Sequence, residues 1–207
     1  MAKQALIILF TVLAFGILVP WYKGFTFLDP RMLAAYGLLA VLFVAPASAE
    51  SFAGERDLAS PGAILSRLMV LIGFGWGVTV LVLLTALATL NLSYWHGTLI
   101  APPGQLFAAV ILCSLMACAA VGTLGALLAR TFSARMVKTI LRFGFLLILL
   151  AFVGSSRLPD SWQIWLEEHT TRRAITHLAW ETSAVCAVMA GLLLIPLLRK
   201  SSDAPAA

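Results

Sequence analysis

Ala63-Ile-Leu-Ser-Arg-Leu-Met-Val-Leu-Ile-Gly-Phe-Gly-Trp-Gly-Val-Thr-Val-Leu-Val-Leu-Leu-Thr-Ala-Leu-Ala-Thr-Leu-Asn-Leu92 runs for 30 residues, with Arg67 near its start as the sole ionisable side chain. A helix needs roughly 20 apolar residues to cross a bilayer core, because lipid offers the backbone no hydrogen-bond partner. The stretch therefore reads as a membrane-spanning helix with residues to spare. Either it tilts, or residues 63–69 lie along the interface with Arg67 among the headgroups. Its Gly73-Phe-Gly75-Trp-Gly77 run invites a bend or a close helix contact.

Five further apolar stretches surround it, at 4–20, 32–49, 106–130, 137–155 and 174–198, and none has Asp, Glu, Lys, Arg or His near its middle. The expectation is an all-α, polytopic membrane protein. Residues 1–200 form a bundle of six transmembrane helices, followed by a disordered polar tail at 201–207. Composition agrees: 61% of residues are hydrophobic and 11% charged, against roughly 45–50% and 25% in soluble domains. The net charge of +5 would point to nucleic acid in a soluble chain, but here it reads as cations flanking helices, and no nucleic-acid partner is expected.

Lys3 before an apolar run resembles a signal peptide. That run ends in Pro20-Trp-Tyr-Lys23 without a small-x-small cleavage site, and Ala47-Ser-Ala49 comes too late to serve as one. The first helix is expected to be retained, with Trp21 and Tyr22 at the interface. With a cytoplasmic N-terminus, nine basic residues face the cytoplasm: Lys3, Arg56, Arg67, Arg130, Arg135, Lys138, Arg142, Arg199 and Lys200. Lys23, Arg31, Arg157, Arg172 and Arg173 make five on the other side. The bias predicts an inner-membrane protein with both termini cytoplasmic.

Between the fifth and sixth stretches, residues 161–171 read as a helix capped by Asp160 or Ser161. Glu167 and Glu168 sit among Trp162, Ile164, Trp165 and Leu166, a pattern suited to lying on the outer membrane surface. In the fourth stretch, Ser114, Cys118, Gly122 and Ala126 recur every four residues, a small-residue ridge against which another helix can pack closely, within the chain or in an oligomer. Cys113, Cys118 and Cys186 all fall inside helices and read as packing residues. So do Thr79, Thr85, Thr89 and Asn91 of the third stretch, as polar groups that help helices pack.

Catalytic signatures are missing. There is no phosphate-binding Gly-rich loop with Lys, so the chain is not expected to hydrolyse nucleotide alone. His96, His169 and His177 lie in outer loops or at a helix mouth, away from a bis-histidine haem geometry. No ionisable residue sits at membrane depth, where proton relays and ion paths place them. Neither an enzyme nor a bound cofactor or metal is expected.

Two loop features carry more. Arg130, Arg135, Lys138 and Arg142 gather around one inner turn, as anchors to anionic lipid would. The polar loop 50–62 joins the second and third stretches. Its Ser51-Phe-Ala-Gly-Glu-Arg-Asp57 run, followed by Ser60-Pro-Gly-Ala-Ile-Leu-Ser-Arg67, resembles the first cytoplasmic loop of exporter-type ABC transporter permeases. There a Glu/Arg-rich stretch leads to a Ser/Thr-Pro signature at the third helix. Leu124-Gly-Ala-Leu-Leu-Ala-Arg-Thr-Phe-Ser-Ala-Arg135 is similar to that family's fourth-helix exit. The size and bare six-helix plan look most like the small haem-exporter type. Two features depart from the family: no amphipathic interfacial helix stands before the first span, and the stretch between the two loop motifs is cut to Leu58-Ala59.

The resemblance implies a permease subunit, working in an oligomer with a separate ATPase on a lipid, haem or other amphiphile. Glu55, Arg56 and Asp57 would contact the ATPase. The other class compatible with the sequence is a non-catalytic subunit or assembly scaffold of a larger membrane complex.

Overall fold

A computed structural model describes residues 8–18, 21, 44, 47–52, 60–93, 104–133, 136–137, 139–140, 143, 159–169 and 171–202. Five helices organise them: α1 (Ile8–Leu18), α2 (Pro61–Ser93), α3 (Gly104–Thr131), α4 (Asp160–His169) and α5 (Arg172–Ser202). Residues 47–52 are helical as well, and no strand occurs among the described residues. Three helices are apolar and long enough to cross a membrane, over Pro61–Leu92, Gly104–Thr131 and Arg173–Leu198. The described residues are thus those of a helical, membrane-embedded protein.

Local chemistry sets the helix starts. Ser60 is an N-cap whose Oγ accepts the Ala63 N–H at 3.3 Å, and Pro61 takes the first helical position, where its missing N–H costs nothing. Ser133 and Thr171 accept from the N–H three residues on, at Met136 and Ala174, each at 3.4 Å. α2 then runs unbroken for 33 residues, about 50 Å at 1.5 Å per residue, through Gly73, Gly75 and Gly77. Gly75 is buried, and Gly73 and Gly77 face open space. In α1, Val12–Leu18 is wound as a π-helix.

α3 is the axis. Against α2 it runs antiparallel: Ile64 and Leu68 share a cluster with Ala126 and Ala129, and Leu83 and Leu90 share one with Leu106 and Val110. Midway, the Trp76 indole N–H donates to the Ile111 carbonyl at 3.2 Å. Against α5, its most extensive neighbour, it runs parallel. Leu106 clusters with Ile175, Cys113 lies beside Ser183, and the Arg130 Nη1–H donates to the Leu197 carbonyl at 2.9 Å. α1 meets α2 where Gly16 is buried against Thr85.

Element ends differ slightly from expectation. The helical residues at 47–52 carry past 49, and α5 continues to Ser202, two residues into the expected tail. Of the stretches at 4–20, 32–49 and 137–155, only parts lie within the described residues.

Candidate functional site

The end of the bundle holding Ile64 is where the polar loop leaves and returns. Phe52, the last described residue before 53–59, is fully buried in a cluster with Ile64, Leu68, Ala126, Ala129 and Leu197. Four parts of the chain therefore meet there: the helical residues 47–52, the start of α2, and the ends of α3 and α5. Arg67 adds a tie across the loop by donating from Nη1 to the Ser51 carbonyl at 3.4 Å. Both stems of the loop are thus fixed in one apolar knot. Glu55, Arg56 and Asp57 lie outside the described residues.

The small-residue ridge lies inside the molecule. Ser114, Cys118, Gly122 and Ala126 are all buried. Val44 and Cys118 form a small cluster with Ile72 and Trp76 against it. A Cβ built on Gly122 would stand 3.1 Å from Val44 Cγ1 and 3.3 Å from Ile72 Cγ1, closer than most real contacts. Where Gly122 bares its backbone, the Ser48 hydroxyl donates to its carbonyl at 2.7 Å, fully buried. Ala126 belongs to the Phe52 knot. Val44 and the helical residues 47–52 therefore pack along α3 and lead into residues 53–59.

The same device recurs at α1. A Cβ on Gly16 would lie 3.1 Å from Thr85 Cβ, and the Thr89 hydroxyl is shared between the Gly16 carbonyl at 3.0 Å and the Thr85 carbonyl of its own helix at 2.9 Å. Thr79, Thr85 and Asn91 bond back to their own helix, at Gly75, Leu81 and Leu87. Sequence reasoning missed both hydroxyl-to-glycine bonds. Ser48 lies in the Ala47-Ser-Ala49 triplet considered above only as a cleavage site, and nothing in the spacing pairs position 48 with 122.

Of the basic cluster, Arg130 joins the end of α3 to α5, while Arg135, Lys138 and Arg142 lie outside the described residues. His177 and Glu181 pair at 3.3 Å on the exposed face of α5. Among the described residues no group of three or more His, Cys, Asp or Glu gathers, and Cys113, Cys118 and Cys186 are free thiols. The arrangement is mechanical: a loop whose stems are locked to three helices at one end of the bundle. Comparison of the chain with protein-family models, characterised proteins and solved structures finds no match.

Proposed function

We propose that the chain is a membrane-embedded permease subunit, working in an oligomer with a separate ATPase that docks on the loop 50–62 through Glu55, Arg56 and Asp57. The observation that carries this reading is the shared burial of Phe52 and Ile64 with the ends of α3 and α5. A push on the loop would load both stems, and through them the two helices that run side by side along the bundle. Packed helices move as bodies, so force at one end reaches the other. The apolar character of the spanning helices fits a lipid, haem or other amphiphile better than an ion.

In this reading the chain crosses the inner membrane six times, with both termini cytoplasmic. Parallel α3 and α5 support that count. The chain leaves α3 at Thr131 and enters α5 at Arg172, at opposite ends of the bundle, so the 40 residues between them make a return crossing. One apolar stretch, 137–155, lies on that path. α4, with Trp162, Ile164 and Trp165 all exposed, then suits the outer interface.

The test is co-purification from native membranes in mild detergent. A bound ATPase is expected with the unaltered chain. It should be lost from the double variant Glu55→Lys, Asp57→Lys, whose membrane insertion and thermal stability stay unchanged. Truncating one partner of a buried interfacial charge pair costs roughly 2–5 kcal/mol, and reversing two charges should exceed that. An absent ATPase with the unaltered chain contradicts the permease reading and leaves the scaffold class.

A further inference from the structure

Of the three spanning helices, α5 alone carries a proline in its interior, at Pro196. α2 has Pro61 at its first position, and α3 has none. A proline inside a helix has no N–H to give to the carbonyl four residues back, here that of Leu192, and its ring crowds the same turn. Membrane helices tolerate this because neighbouring groups support the freed backbone, and such turns are where helices bend. The turn 192–196 is therefore the weakest along α5.

The two sides of that turn are held differently. Beyond it, Leu197 is fully buried in the knot with Phe52, Ile64, Leu68, Ala126 and Ala129, and Leu198 packs against that knot. The Leu197 carbonyl also accepts the Arg130 Nη1–H at 2.9 Å, so backbone and side chain are both tied to α3. Before the turn the hold is sparse. Ile175, Ala179 and Ser183 are buried near the start of α5, but from Ala184 to Pro196 no side chain of the helix is buried. The bend thus falls between a long, unburied stretch and a clamped end.

We infer that α5 is jointed at Pro196. Its end moves with the knot and the end of α3, and the length from Arg172 to Ile195 pivots against that end within the membrane. α2, with no interior proline, stays a rod. A displacement at the loop end of the bundle then carries the knot as one body and changes the angle of α5. The joint stands whether or not an ATPase docks on the loop, and only its use in coupling rests on the permease reading.

Spin labels test the joint in the full chain, with Cys113, Cys118 and Cys186 changed to Ser. The labelled chain is diluted with unlabelled chain in phosphatidylcholine nanodiscs, and distance distributions are read by pulsed electron resonance. One pair, Ala108→Cys with Leu178→Cys, joins exposed positions of α3 and α5 far from the proline. The other, Phe132→Cys with Ser202→Cys, joins the two helix ends beyond it. Pro196→Ala restores the N–H toward Leu192 and should narrow the distribution of the first pair while leaving the second unchanged. Pro196→Leu should act in the same way, and both variants should melt no lower than the unaltered chain. Arg130→Met deletes the tie to Leu197 and should broaden the second pair. A first pair that keeps its width in both proline variants, or two pairs that narrow alike, overturns the joint. A second pair unchanged by Arg130→Met overturns the clamp, and the proposal fails with it.

Discussion

Helices α3 and α5 lie side by side, yet 50% of the most apolar stretch of α3 is buried against 11% of that of α5. Both carry a span apolar enough to cross a membrane, so hydrophobicity alone does not separate them. Side-chain size does. α3 brings Ser114, Ala117, Cys118, Ala120, Gly122, Gly125, Ala126 and Ala129 inward, which lets α2, α5, Val44 and residues 47–52 all come close. α5 turns Leu178, Trp180, Val185, Val188, Met189, Leu192 and Ile195 outward. In lipid no hydrophobic effect drives helices together, so close packing and hydrogen bonds between helices select the central one.

That contrast can be broken by substitution, most sharply at two glycines. Gly122→Leu on α3 drives a side chain into Val44 and Ile72, and overpacking costs about 1–3 kcal/mol. Gly191→Leu on α5 meets open space and should leave the melting temperature in detergent unchanged. Equal losses would mean that α5 is as enclosed as α3.

A smaller effect is expected at the hydroxyl bonds. Ser48→Ala removes the donor to the Gly122 carbonyl and Thr89→Val the donor to Gly16. Hydrogen bonds between membrane helices average about 0.6 kcal/mol and reach about 1.7. Thr85→Val deletes only a bond within α2 and should fall below both in thermal denaturation. A Thr85→Val loss as large as that of Thr89→Val would contradict the interhelical role of Thr89.

The smallest effect belongs to the exposed face of α5. Leu192→Ala, at 63% exposure, should shift stability in detergent by less than about 0.5 kcal/mol. A loss of several kcal/mol there would reveal that this face is covered in the assembled protein.

The sequence made much of this legible, because the signals were local. Ser60-Pro61 marks the start of α2, the run of apolar residues fixes the three spans, and the period-four ridge on α3 marks the face that needs small neighbours. What it did not show is pairing between distant positions. Whether the ridge met a helix of the same chain or another copy was left open, and Val44, Ser48 and Ile72 now occupy it at Gly122. The parallel course of α3 and α5 was hidden for the same reason, since Arg130 reaches a backbone carbonyl at Leu197 that no side-chain pattern announces. Glu55, Arg56 and Asp57 stood out by charge alone and lie outside the described residues, between Phe52 and Ile64, which are buried together.

The account rests on α3 and α5 pointing the same way across the membrane. In a chain with Cys113, Cys118 and Cys186 changed to Ser, single cysteines at Gly104, Ser133, Thr171 and Ser202 probe the four helix ends from outside intact cells. The account predicts that a membrane-impermeant maleimide labels Gly104→Cys and Thr171→Cys and spares Ser133→Cys and Ser202→Cys. Labelling of Ser133→Cys together with Thr171→Cys would place the end of α3 and the start of α5 on one side, and contradict it.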